Sequence, residues 1–279
     1  MSALRIGSGG STVALAQTHS IVRAIAAKTG EEPTVAVFDV PRDALSAGEC
    51  DAVVLSLADV DPGIVLSAVP KRVDARDALC ARDALTLDTL PAGARVGAGS
   101  PLRTAQLRSR RPDLEAVDAR GDVQTCLGLV AAGDLDAVVL AAADLHWLGL
   151  LDSATELLDL NGWPTAAGQG ALGVEAREGS QKLVTALTHQ TSRLLVEAER
   201  QTAALLGAGP AELVGIHALA EDGMLFLDAR VYATDGSSYL TSSHALYLAD
   251  ATDAAGELAE RVSTELFELG AAALMGATA

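Results

Sequence analysis

Asp59 stands just past the apolar run Ala52-Val53-Val54-Leu55. An aspartate at the end of a buried strand can act as a general acid or base toward a ligand in a cleft. Two glycine turns supply possible anion contacts. In Gly7-Ser8-Gly9-Gly10-Ser11 the backbone N–H groups and the Ser11 hydroxyl open an alanine- and leucine-rich helical stretch, and in Gly97-Ala98-Gly99-Ser100 the pattern recurs with Arg103 close behind. Turns that lead into helices can hold carboxylates or phosphates on free N–H groups. Arg103 and Arg120 could clamp a carboxylate through paired hydrogen bonds. Their competing role is to pair with acidic neighbours, which are abundant at a net charge of −17. Gln169, within Gly168-Gln169-Gly170, is a further candidate contact, although this stretch reads mainly as a crossing where backbones approach closely.

The elements that must position these groups are legible through an internal echo. "GECDAVVLSLADV" (48–60) matches "GDLDAVVLAAADL" (133–145), and "IGSGGSTVALAQ" (6–17) matches "VGAGSPLRTAQL" (96–107). Each unit reads as strand, glycine turn, helix and a later buried strand ending near an aspartate. The repeat is too long for a solenoid and predicts two similar α/β lobes with largely parallel sheets and a cleft between them. From about residue 190, "TSRLLVEAERQTAALLG" predicts an amphipathic helix stopping at glycine. An alternating stretch around Asp235-Gly236 predicts a hairpin, and a last helix is expected over about 251–271. This third part is expected to be a small α+β domain.

Composition excludes several classes. The negative charge and an aromatic content of only 3% argue against nucleic acid, whose phosphates would be repelled and whose bases would find few stacking partners. No apolar run is long enough to span a bilayer, and the start "MSALRIGSGG" carries no signal-peptide pattern, so a cytoplasmic protein without membrane association is expected. Cys50, Cys80 and Cys126 show no C-x-x-C spacing, and the five histidines form no H-x-x-x-H pair. No metal site and no disulfide framework are expected. The cluster Arg108, Arg110 and Arg111 at a helix end reads as dipole complementation and a solvated face.

"LPAGARVGAGSPLRTAQLRSRRPDL" (90–114), "ARGDV" (119–123), "AAGDLDAVVLAAADLHWLGL" (131–150), "GQGALGVEAR" (168–177) and "AERQTAALLGAG" (198–209) resemble hydroxymethylbilane synthases, also called porphobilinogen deaminases. The resemblance runs in the family's order over almost the whole chain. It implies two periplasmic-binding-protein-like α/β lobes, residues 1–72 with 171–189 and residues 73–170, and a C-terminal α+β domain over 190–279. It also implies the condensation of four porphobilinogens, with loss of ammonia, onto a dipyrromethane cofactor tethered to a cysteine. Arginines would hold the substrate's acid groups, and one aspartate, here Asp59, would assist proton transfer at the pyrrole.

The match breaks where that chemistry lies. Pro210 occupies the cofactor-cysteine position and has no nucleophilic atom, so no covalent cofactor is expected. Family arginines are replaced by Gly9, Leu102, Cys126 and Trp147, and a His and a Lys by Leu55 and Ala58. A basic, glycine-rich segment that covers the family's active site is missing between "TVAVFDV" and "RDALSAGECD". Ser11, Ser56, Ser100, Arg103, Arg120 and Gln169 remain as ligand-contact candidates. The first expectation is therefore a catalytically degenerate homologue, a binding or partner protein of tetrapyrrole metabolism. Its partner would be a carboxylated pyrrole or tetrapyrrole, a paralogue or another heme-pathway protein. The second is an active synthase with a non-covalent primer. The third is a cleft reused for another small anionic ligand or reaction.

Overall fold

The computed structural model describes residues 4–208 and 213–275; Pro210 lies outside the described residues. The first lobe begins with β1 (Arg5–Ser8), α1 (Thr12–Thr29), β2 (Thr34–Val37), α2 (Pro41–Ala47) and β3 (Ala52–Ser56). Ser11 starts α1 by accepting a hydrogen bond from the Ala14 N–H at 3.1 Å, and Gly30 ends it in the left-handed region at φ +75°. The second lobe holds β4 (Asp77–Ala81), β5 (Arg95–Ala98), α3 (Pro101–Arg110), β6 (Glu115–Asp118), α4 (Val123–Ala132), β7 (Ala137–Ala141), α5 (Ala142–Leu148) and β8 (Glu156–Leu157). The chain then returns to the first lobe for β9 (Leu172–Ala176) and α6 (Gln181–Thr185).

The sheets run β2-β1-β3-β9 and β6-β5-β7-β4-β8. Their cores are parallel, β1 with β2 and β3, and β5 with β6 and β7. The expectation of largely parallel sheets needs one amendment: β9 runs antiparallel to β3, and β4 antiparallel to β7 and β8. Only a crossover returns a strand in parallel, whereas β4 and β9 enter their sheets directly from the opposite lobe. The central strands are buried along their length, Ala52 to Leu55 in one lobe and Ala137 to Ala141 in the other. Their unbroken apolar runs have that cause.

The third domain comprises α7 (Gln190–Leu205), β10 (Val214–Glu221), β11 (Met224–Tyr232), β12 (Tyr239–Tyr247), α8 (Ala254–Glu268) and α9 (Ala271–Leu274). Leu225, Leu227, Ala229 and Val231 alternate along β11 and are all buried in the core that includes Leu258, Val262 and Leu266 of α8. The predicted hairpin joins β11 and β12. A second one, around Asp222 (φ +50°) and Gly223 (φ +76°), joins β10 to β11 and went unread in the sequence, although Asp-Gly is the same turn signal.

The two lobes touch through α1 and α5. Trp147 of α5 packs against the first-lobe core of Ile21, Ile25 and Leu172, while Val13 of α1 packs against the second-lobe core. Apolar side chains therefore bridge the mouth between the lobes.

Candidate functional site: the interlobe cleft

β3 and β7 are equivalent strands of the two lobes, and each delivers an aspartate to the cleft. Asp59 closes the single turn that follows β3, and Asp144 lies in the first turn of α5 after β7. Both line a cavity of about 100 Å³, together with Gln17, Ser56, Arg103, Trp147 and Gln169. Burial, reinforced by the neighbouring Asp59 charge, pushes the Asp144 carboxyl up to about 6; Arg103 opposes this, and Asp77 adds to it. Asp144 is the functional candidate that the sequence reading missed. The echo could have found it, since Ala143-Asp144 is the counterpart of Ala58-Asp59.

Arg103 reaches the cleft with its charge already matched. Its Nε and Nη2 donate to the two oxygens of Asp77 at 3.0 and 2.7 Å. Asp77 is buried and also accepts from Trp163 Nε1 and Gln169 Nε2, each at 2.9 Å. Burial works against the Arg103 charge, but Asp77 outweighs it and holds the guanidinium protonated. The acidic-neighbour role left open for this arginine is the one it plays. Gln169 likewise spends its amide inside the protein, on Asp77 and on the Ala75 carbonyl. A ligand carboxylate would have to compete with a buried bidentate pair, the strongest hydrogen-bonding arrangement of its kind.

Of the other candidates, Ser100 lines a second cavity, of about 180 Å³, beside Asp59 and Arg103, whereas Ser11 and Arg120 lie apart from it. Ser11 is an exposed helix cap, and Ser100 caps α3 by accepting from the Arg103 N–H at 3.2 Å. Ser8 donates to the Gly9 carbonyl and accepts from Thr18, so the opening turn satisfies its own hydroxyls. Arg120 does not join Arg103: its side chain is 72% exposed, pairs with Asp118 at 3.3 Å and lines a separate surface cavity. Ser56 alone of the serines lines the Asp59–Asp144 cavity. Arg111 is spent on Asp113 and the Leu87 and Leu90 carbonyls.

Positions where the resemblance expects cations carry packing groups instead. Leu55 lies in the first-lobe core beside Leu57 and Val69, and Leu102 packs on Ala105 and on Tyr232 of the third domain. Cys126 is buried in the second-lobe core. All three thiols are buried, and burial raises each pKa, that of Cys80 to about 11. None presents a thiolate that could take the place of the missing cofactor cysteine. With proline at position 210, the residues present do not fit a covalent dipyrromethane. Among the described residues, no cluster suits a metal ion and no helix is long and apolar enough to cross a membrane.

Two chain crossings, near residues 70–76 and 165–171, connect the lobes. Glu199 of α7, fully buried, accepts from Arg72 Nη1 and Nη2 at 2.7 and 3.1 Å, from the Gly168 N–H at 2.7 Å and from the Ala218 N–H at 2.9 Å. One carboxylate thus ties both crossings to the third-domain sheet. Gly170 (φ +76°) runs so close to the other crossing that a Cβ would stand 2.5 Å from the Asp74 carbonyl oxygen. The close approach read from "GQGALG" is therefore real.

Comparison with known proteins places this geometry in context. The family model described as "Porphobilinogen deaminase, dipyromethane cofactor binding domain" matches residues 36–185. "Porphobilinogen deaminase" of Leifsonia xyli subsp. xyli is 48% identical over 309 residues, covering 98% of this chain and 94% of the relative. That of Thermobifida fusca is 42% identical, covering 96% and 94%. The first alignment is longer than the 279 residues of this chain, in keeping with a missing segment. In the structure, only Phe38, Asp39 and Val40 separate β2 from α2. Among solved structures, the methionine-binding protein MetQ aligns at a TM-score of 0.45 with 15% identity, covering 66% of this chain and 89% of that one.

Proposed function

This chain belongs to the porphobilinogen deaminase family, and from that premise we propose that it serves tetrapyrrole biosynthesis without catalysing the family's condensation, as a binding or partner protein. The observation that carries the reading is the occupied arginine of the cleft. Asp77 holds Arg103 in a buried bidentate pair, and apolar packing by Trp147 bridges the lobes. A primer also has no attachment atom at Pro210. Asp59 retains its place at the cavity, but no cation pairs with it among the described residues. With Asp144 in the same cavity, it remains a candidate for proton transfer.

A second reading, active hydroxymethylbilane synthesis from a non-covalent primer, has the comparisons on its side. Identity of 48% across nearly the full length of a relative named porphobilinogen deaminase favours it more than the first reading. Intact-mass spectrometry of the purified protein, with acid Ehrlich's reagent, separates the two. The first reading expects the mass dictated by the sequence and no coloured adduct. Added mass equal to a pyrrole oligomer, together with turnover of porphobilinogen, would establish the second.

A further inference from the structure

β12 is an edge strand of the third-domain sheet, whose order is β10-β11-β12. It pairs with β11 in an unbroken register, from Tyr239 opposite Tyr232 to Tyr247 opposite Met224. The phase of the ladder follows from bonds just beyond its two ends. The Ala233 N–H donates to the Ser238 carbonyl, and the Leu248 N–H to the Gly223 carbonyl, each at 2.9 Å. Even-numbered residues of β12 therefore turn their N–H and C=O groups towards β11, and Tyr239, Thr241, Ser243, Ala245 and Tyr247 turn theirs away from it. Among the described residues, these outward main-chain groups have no hydrogen-bond partner.

The opposite edge of the same sheet is covered. The Ile216 N–H donates to the Thr165 carbonyl at 2.7 Å, and the Ala218 N–H to Glu199 at 2.9 Å. In the lobes, edge strands β2 and β6 are four residues long, and β6 carries Glu115 and Asp118. β12 runs for nine residues without a proline or a bulge, and the chain between Asp235 and Asp250 contains no Asp, Glu, Lys or Arg. Those are the devices that ordinarily keep an edge from pairing. In a chain of net charge −17, such a stretch is also where a second copy meets little repulsion.

The strand reads nearly alike in both directions: Tyr-Leu-Thr-Ser-Ser-His-Ala-Leu-Tyr has a tyrosine at each end and a leucine beside each. Laid antiparallel on itself about Ser243, it sets Tyr239 opposite the partner's Tyr247 and Leu240 opposite the partner's Leu246. The same register matches odd residues with odd, so outward donors meet outward acceptors, as an antiparallel ladder requires. Tyr239 and Tyr247, 47% and 57% exposed, would pair on the open face. Leu240 and Leu246 belong to the core beneath α8 and would extend it across the junction. Glu265 of α8, on that face, is already bound by Ser242 Oγ at 2.6 Å and His244 Nε2 at 2.8 Å of its own chain.

We propose that β12 pairs with β12 of a second copy across a twofold axis at Ser243, joining two third-domain sheets into one. The near-palindrome singles out a second copy as the occupant, because a twofold contact must be complementary to itself. A single strand pair is a small interface, so the dissociation constant is expected to be on the order of micromolar. The inference is independent of what the interlobe cleft does.

The test is analytical ultracentrifugation of the full-length protein over a micromolar concentration series, repeated on Ser243→Lys and Ser243→Pro. The lysine is tolerated on the exposed face of one copy but meets its own like charge across the axis, and the proline removes an outward N–H. Wild type is expected to pass from the 28.4 kDa monomer to a dimer as concentration rises. Both variants should stay monomeric with unchanged circular dichroism. Hydrogen exchange on the wild type locates the contact without any variant: the Thr241, Ser243 and Ala245 amides should slow by on the order of tenfold on dimerisation. A wild type that stays monomeric, a dimer that survives in folded S243K, or a dimer that leaves these amides unprotected would each overturn the proposal. Protection already complete in the monomer would mean that the chain covers its own edge, and would overturn it equally.

Discussion

Asp144 holds its proton to a higher pH than a free aspartate does, because burial and the adjacent Asp59 both disfavour its charge. Between the ordinary value of 3.8 and about 6, the folded chain keeps a proton that the unfolded chain has already released. This carboxyl therefore makes stability fall as pH rises through that window. Asp144→Asn should remove the penalty. Thermal melts at pH values above the window are expected to show the variant more stable by roughly 1–2 kcal/mol, with the gap closing as pH drops below it. A gap that stayed constant with pH would refute the shifted carboxyl. Asp77 predicts the opposite behaviour. Asp77→Asn leaves Arg103 partly buried without its counter-ion and should cost about 2–4 kcal/mol in urea unfolding, since breaking one side of such a pair strands the other. If the variant unfolds as the wild type does, Arg103 is not held by Asp77 and is available to ligands.

At the scale of elements, strand and helix identities were readable because central strands are apolar on both faces and helices stop at glycines. Asp59 was readable for the same reason, as a polar residue at the end of such a run. Asp77 was not. It begins β4 with no turn or motif around it, and its partners Arg103, Trp163 and Gln169 come from distant parts of the chain. The fate of Arg103 was equally hidden, because sequence shows that an arginine is present but not which carboxylate the fold brings beside it. The antiparallel entries of β4 and β9 were missed because strand direction depends on where a crossing begins, which periodicity does not encode. The crossings themselves set a steric test. Gly170→Ala places a methyl group against the Asp74 carbonyl in a left-handed conformation. It should lower stability by roughly 2–4 kcal/mol, read as a fall in the midpoint of chemical unfolding. A wild-type midpoint would mean that the crossings are not in contact.

For the whole molecule, the decisive feature is how the lobes meet. Most positions where family resemblance expects cleft cations have become core or bridging residues: Leu55, Leu102, Cys126 and Trp147. Together with the Glu199 tie between both crossings and the third domain, this favours a closed arrangement held by packing rather than by ligand. Trp147→Ala should loosen it, costing about 2–3 kcal/mol for a partly buried indole and enlarging the radius of gyration measured by small-angle X-ray scattering. An unchanged radius would argue that the bridge does not hold the lobes together. The central claim meets its most direct test in a single assay. Homogeneous recombinant protein is incubated with porphobilinogen beside an intact synthase, and the linear four-ring product is quantified after oxidation to porphyrin. No product above the protein-free control is expected from this chain, and steady formation at a rate proportional to its concentration would contradict the claim.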